Sequence, residues 1–317
     1  MNVTGLIFSS TFLATVIRMT TPILFAGLAG LISSQAGVMN LAVESIMLTS
    51  ALAGVLFSAW TQSVWIGFFG AVAVGVMMAL ILSYTAFNLK ADIVLSGVAF
   101  NLMMSGGTLF ILYLVCGEKS MSTGLNSLVM PTVEIPGLKD IPGLGEVLSG
   151  HNLLTYVAAV MTVLMWVLLY RTKIGLRIRM LGENEHAAES VGINSRRVKY
   201  FAMAVSGLMA SMGGVYMSMG YVSWFQRNMT AGRGYIGMAA AALGGNRPLG
   251  TLLSSLLFGG ADAVANTISS LNIPSELIQM LPYVATIAGL TIYSINKQKK
   301  ARAGLRAGQK KDRGKAA

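Results

Sequence analysis

The chain has 317 residues, 54% of them hydrophobic and 11% charged, with 23 Lys or Arg against 12 Asp or Glu for a formal net charge of +11. A water-soluble domain carries roughly a quarter charged residues, so this composition excludes an ordinary soluble fold and makes the location of the charges the main question. A single cysteine, Cys116, and two distant histidines, His151 and His186, exclude an intrachain disulfide and a His/Cys metal cluster.

The opening residues, MNVTGLIFSS, lack the basic n-region and the small-residue cleavage site of a signal peptide, so the first apolar run is expected to stay as a membrane segment. Stretches 5–17 and 22–32 are read as the first two spans, with Arg18 at an outer boundary where snorkelling accommodates it. A glycine-interrupted stretch, Ala36-Gly37-Val38-Met39-Asn40, precedes spans 41–59, 62–89 and 93–116, with Lys90-Ala91-Asp92 as an inner turn. A hydrocarbon core of about 30 Å takes roughly 20 apolar helical residues, and these runs meet that length without polar residues at helical spacing. Residues 117–151 contain Pro131, Pro136 and Pro142 and four acidic residues against Lys119 and Lys139, which suits an outer loop.

Span 153–170 leads into the most charged interruption, 171–199, where Arg171, Lys173, Arg177, Arg179, Arg196, Arg197 and Lys199 mark the cytoplasmic side. At its centre, an Ala-rich acidic patch from Glu183 to Glu189, ended by Gly192, has the character of a short helix that a cytoplasmic motor could grip. Four further segments follow, 200–220, 233–243, 250–269 and 277–294, with Asn246-Arg247-Pro248 as an inner turn. The second is short enough to be broken or re-entrant. The basic tail, 296–317, has no aromatic stacking residues, so its charge reads as topology and contact with anionic lipid rather than nucleic-acid binding. The expected fold is an all-α, polytopic integral membrane protein. Residues 1–295 form about ten transmembrane segments, within a range of 8 to 11, and both termini are cytoplasmic.

Enzyme signatures fall away on inspection. Gly232-Arg233-Gly234-Tyr235-Ile236-Gly237 matches the dinucleotide fingerprint G-x-G-x-x-G, but it opens an apolar helix rather than following a β-strand. No P-loop motif occurs, so any ATP that drives the protein is bound elsewhere. Charges at membrane depth are Glu44, Arg233 and Asp262, alongside the amides Asn40, Asn101 and Asn266. Such groups are costly in lipid and mark functional sites by default. Glu44 follows the first glycine break and Arg233 lies inside the second, one break in each half, as in transporters whose freed backbone groups line a path. Asn40, Glu44, Asn101 and Arg233 are therefore the candidate path residues. An ion-gradient carrier is the alternative, with Glu44 and Asp262 as its available carboxylates. Methionines and interfacial aromatics such as Trp60, Trp65, Tyr221 and Trp224 read as packing and belts.

Several phrases together resemble the permease subunits of bacterial ABC importers of the branched-chain amino acid/simple sugar type, nearest to nucleoside or simple sugar permeases. They are Gly37-Val38-Met39-Asn40-Leu41-Ala42-Val43-Glu44, Asp92 through Leu102, Gly175-Leu176-Arg177-Ile178-Arg179 with Gly182-Glu183-Asn184, Ala187-Ala188 through Gly192, Thr230 through Ile236, and Leu281-Pro282-Tyr283. Ser45 departs from the family, which more often has Gly after the Glu. The resemblance implies a multi-pass protein of the bacterial cell membrane that is not itself an enzyme and forms a path for nucleosides or related small polar solutes. It further implies that Gly182, Glu183, Asn184, Glu185, Ala187, Ala188 and Gly192 form a coupling helix docking on a separate ATPase. No cofactor is expected on this chain, with ATP and Mg held by that ATPase. The other implied partners are a second, related permease, as a heterodimer, and an extracytoplasmic substrate-binding lipoprotein.

Overall fold

The computed structural model describes residues 10–118, 120–134, 144–268 and 291. Their elements are α1 (Ser10–Gln35), α2 (Val43–Thr61), α3 (Val64–Phe87), α4 (Ile93–Cys116), β1 (Thr132–Val133), α5 (Leu144–Leu148), β2 (His151–Asn152), α6 (Leu153–Arg171), α7 (Lys173–Glu183), α8 (Glu185–Ser190), α9 (Ser195–Met219), α10 (Arg233–Leu243) and α11 (Pro248–Ile268). Seven of these helices, α1 to α4, α6, α9 and α11, are long and apolar enough to cross a membrane. The protein is an all-α, multi-pass membrane protein in which α10 is an apolar helix of half the spanning length. The expected last span, 277–294, apart from residue 291, and the tail, 296–317, lie outside the described residues, as does loop stretch 135–143.

Over the described residues, the first two expected spans are one helix. Pro22 lies inside α1 without ending it. Proline has no N–H to give the carbonyl four residues back, and here that carbonyl, Arg18 O, accepts a hydrogen bond from the Tyr216 hydroxyl at 3.1 Å. The break that Pro22 opens in the helix ladder is closed by α9, which is how a proline persists in a membrane helix. The Arg18 guanidinium covers the ring of Tyr221 at 3.7 Å from its centroid, so its charge is held against a π face.

The most deeply buried spans are α1, α2 and α9, which pack against one another; α3 packs on α2 and α9, and α10 and α11 close on α1. The main core runs through Phe25, Leu28, Leu31 and Ile32 of α1, Ile46 and Met47 of α2, and Met203, Ala210 and Val215 of α9. Helix α4 is the outlier. It touches α2 and α3 and leaves Leu95 and Leu102 72% and 73% exposed.

The two ends of the bundle differ. At one end β1 and β2 pair antiparallel, Thr132 with Asn152 and Val133 with His151, and α5 packs on α1. There residues 120–130 clasp the chain after α9: the Met130 N–H donates to Met219 O, Arg227 N–H to Ser120 O, and Phe225 N–H to Ser122 Oγ. At the other end α7 and α8 follow α6, each started by a side-chain cap: Thr172 Oγ1 accepts from Gly175 N–H and Asn184 Oδ1 from Ala187 N–H.

With α1 as a single rod, Ile17 and Thr20 lie beside Leu148 and His151, while Gln35 at its other end lies against Gly182. This gives a labelling prediction. In a Cys116→Ser background, cysteines at Thr11 and Thr123 should react with an impermeant thiol reagent from one face of the membrane, and a cysteine at His186 from the opposite face. Thr11 labelling from the His186 face would show that α1 is two spans after all.

Candidate functional site

Two helices begin inside the bundle, and neither can cap itself. α2 starts after Ala42, whose side chain makes no cap hydrogen bond, and α10 starts after Gly232, which sits at φ +79°. The first amides of a helix need acceptors wherever they are buried. α10 obtains its acceptor from a distant part of the chain, and α2 from one distant and one neighbouring side chain.

For α10 the acceptor is Glu44, in the first turn of α2. Its Oε1 accepts from Gly232 N–H at 2.8 Å and its Oε2 from Gly234 N–H at 2.7 Å. The carboxylate thus sits on the positive end of a helix dipole with both oxygens bonded. Position 234 has to be glycine for this to happen, because a Cβ there would lie 2.6 Å from Glu44 Oε2 and 2.8 Å from its Cα. Arg233, between those two amides, turns away from Glu44 and pairs with Asp262 of α11 at 3.2 Å.

For α2 the acceptors are amide side chains. Asn101 of α4 accepts from Ser45 N–H through Oδ1 at 3.1 Å, while its Nδ2 donates to Leu41 O at 2.9 Å and to the Tyr235 hydroxyl at 2.6 Å. Asn40 accepts from Ala42 N–H at 3.1 Å and donates to Ser206 Oγ at 2.9 Å; that hydroxyl donates on to Ala29 O at 2.8 Å. Asn40 is closed off at 1% exposed, whereas Glu44, Asn101 and Arg233 are half-buried. The four candidate path residues therefore come together as the joints of two broken helices, with Glu44 and Asn101 on adjoining turns.

Sequence reasoning passed over Tyr235 and Ser206, which complete these joints. The only signal for Tyr235 was its place in the Arg-Gly-Tyr phrase. Asp262 was a lone intramembrane charge in the sequence, and the structure gives it Arg233.

The coupling candidates also cluster. Gly182 ends α7 against the last turn of α1, where a Cβ would lie 2.2 Å from Gln35 O. Asn184 is the hinge and cap between α7 and α8. Glu185 is tied to Lys199 at 2.5 Å, and Glu189 accepts from Ser195 Oγ at 2.6 Å. Gly192 leaves the segment at φ +82°, a left-handed turn open to solvent. Glu183 and Ala187 are exposed, but Ala188 is buried at 1% exposed and packs inward. Between this segment and the bundle floor is an open cavity of about 580 Å³, lined by Gln35, Tyr170, Arg179, Glu183, Asn184 and Arg247 among others.

Residues 12–290 match the family described as branched-chain amino acid transport system / permease component. The chain belongs to that family and is a transport subunit, not an enzyme. Among curated proteins it is similar to the guanosine ABC transporter permease protein NupQ of Bacillus subtilis, 33% identical over 85% of this chain and 88% of NupQ. It is also similar to the nucleoside ABC transporter permease protein NupC of Lactococcus lactis, 30% identical over 86% of this chain and 89% of NupC. A second Bacillus subtilis guanosine permease, NupP, matches at 27% identity over 88% of this chain and 81% of its own length. Among solved structures, PsaBC from Streptococcus pneumoniae in complex with Fab superposes with a TM-score of 0.50 at 19% identity, covering 87% of this chain and 89% of that one. That likeness concerns the fold.

Proposed function

We propose that this chain is one of two related permease subunits of an ATP-driven nucleoside importer in a bacterial cell membrane. The observation that carries the substrate class is similarity along nearly the whole chain to a guanosine and a nucleoside permease. That NupQ and NupP both match supports a heterodimer, with this chain as the NupQ-like member. A separate ATPase would hold ATP and Mg and dock on residues 182–192, with Glu183 and Ala187 outward and Ala188 as packing. An extracytoplasmic lipoprotein would deliver substrate at the 117–151 end. On this reading segment 171–199 and the basic tail are cytoplasmic. The Ser10 end of α1 is then external, because a single crossing replaces the expected pair. The path on this reading runs beside Asn101 and Arg233, with Glu44 and Asn40 as its braces.

The ion-gradient alternative loses its ligands in this geometry. Glu44 has both oxygens bonded to backbone amides and Asp262 faces Arg233, so neither carboxylate is open to a coupling ion. The test is uptake by the chain co-expressed with a candidate ATPase, second permease and binding lipoprotein. Guanosine uptake should stop on ATP depletion and persist with a protonophore at constant ATP. Uptake that survives without ATP and collapses with the protonophore would return the carrier reading. Uptake of simple sugars alone would replace nucleosides as the substrate.

A further inference from the structure

We propose that Tyr235 is the surface on which the planar base of the solute stacks during passage, an inference that rests on the nucleoside reading above. Tyr235 lies in the first turn of α10 and is 44% exposed, in a place where exposure to lipid would be unusual for a phenol. Its partner Asn101 is the ninth residue of α4, about 12 Å along a helix that continues for about 22 Å more at 1.5 Å per residue. That depth is well inside the hydrocarbon core and away from the interfacial belt where tyrosines ordinarily collect. Polar side chains at such depth face a cavity or protein.

The surrounding chemistry selects the ligand. The polar groups of the joint that holds the ring are mostly spent within the bundle. Asn101 is used on Leu41, Ser45 and the Tyr235 oxygen, Glu44 on two amides, and Arg233 on Asp262. The Tyr235 oxygen receives the Asn101 proton, so its own proton is left for one outward hydrogen bond. Val98 and Leu102 on α4 and Met39 ahead of α2 give exposed apolar surface nearby, with the Ser105 hydroxyl one turn beyond Asn101. One ring face and one hydroxyl proton in largely apolar surroundings suit a flat, uncharged heterocycle, and a two-ring purine offers more face to stack than a one-ring pyrimidine. A polyhydroxylated sugar would need several donors and acceptors here. The Asn101 bond also fixes the ring to the joint between α2 and α10, so the stacking surface moves with the broken helices.

The test uses the assembled complex in nanodiscs with its binding lipoprotein, comparing a purine with a pyrimidine nucleoside at saturating loaded lipoprotein. Tyr235→Phe keeps the ring and should retain the purine-over-pyrimidine transport ratio. Tyr235→Leu should lower purine transport at least about fivefold, the loss of one of the weaker stacking contacts, and lower that ratio with it. Photolabelling of the wild type with 8-azidoadenosine should place adducts in the α10 peptide containing Tyr235, which keeps the inference testable if Tyr235→Leu assembles poorly. Adducts confined to other segments, or a ratio unchanged in Tyr235→Leu, would overturn the assignment. A wild-type complex that moves sugars and no nucleoside would instead defeat the substrate reading, and the stacking role with it.

Discussion

Replacing Glu44 with Ala is expected to reduce nucleoside uptake more than tenfold per molecule of permease in the membrane, and to lower abundance as well. The substitution strands the amides of Gly232 and Gly234, which have Glu44 as their acceptor at 2.8 and 2.7 Å. Hydrogen bonds to charged groups contribute roughly 1.5–3 kcal/mol each, and a buried donor left unpaired loses more than a neutral swap would. The carboxylate also offsets the positive end of α10, beside which Arg233 is already placed. Glu44→Gln separates these contributions. Its carbonyl can still accept one bond, but its NH₂ faces the second amide donor to donor, so uptake should fall to an intermediate level. Uptake normalised to immunoblotted protein, with limited proteolysis of the 221–232 stretch as a readout of α10 docking, measures both. Full activity of Glu44→Gln would mean that the second bond is dispensable and the brace is weaker than its geometry implies.

A comparable loss is expected from Gly182→Val, by a different route. A Cβ at this position would lie 2.2 Å from the Gln35 carbonyl oxygen, and 2.9 Å from its carbon, so α7 cannot keep its seat on the end of α1. The coupling segment should tilt off the bundle floor while the spans stay packed. Uptake should drop at least tenfold while ATP hydrolysis by the recovered complex persists. Ala187→Trp is the comparison: its side chain is exposed, so it should disturb ATPase association and leave the permease fold intact. Ala188→Trp is uninformative about docking because Ala188 is buried within the chain. If Gly182→Val transports normally, the junction between α7 and α1 does not carry the ATPase stroke.

Much of this was legible in the residues. The runs at 93–116 and 233–243 are helices over those same residues, since uniform apolar character and local end signals, an Asp92 cap and flanking glycines, can be read from the sequence. The first two spans were not separable from one helix by such signals. Pro22 ordinarily ends a helix, and its tolerance here depends on a hydroxyl from Tyr216, far along the chain. The same holds for the joints. Glu44, Asn40 and Asn101 stood out because polar groups are rare in lipid, yet the acceptors and donors they meet are largely main-chain groups, which leave no mark in sequence. The amides of Gly232 and Gly234 lie 188 and 190 positions from Glu44. Ala188 shows the opposite limit: a small residue in an exposed-looking charged segment reads as a contact surface, and only the packed fold shows that it points inward.

The half-length of α10 has a consequence for how the chain enters its membrane. The insertion machinery recognises roughly 20 apolar residues at a time, and α10 offers 11. It therefore cannot be released into the bilayer on its own hydropathy, and α9 and α11 are the flanking segments that can. Its place is prepared earlier in synthesis: Glu44, the 120–130 clasp and the apolar side of α1 all emerge from the ribosome before Gly232 does. Residues 221–243 must be drawn in afterwards, onto a partly assembled N-terminal half. Separating α1 and α2 from the rest, as two co-expressed fragments translated independently, should leave α10 on the wrong side of the membrane until the halves meet.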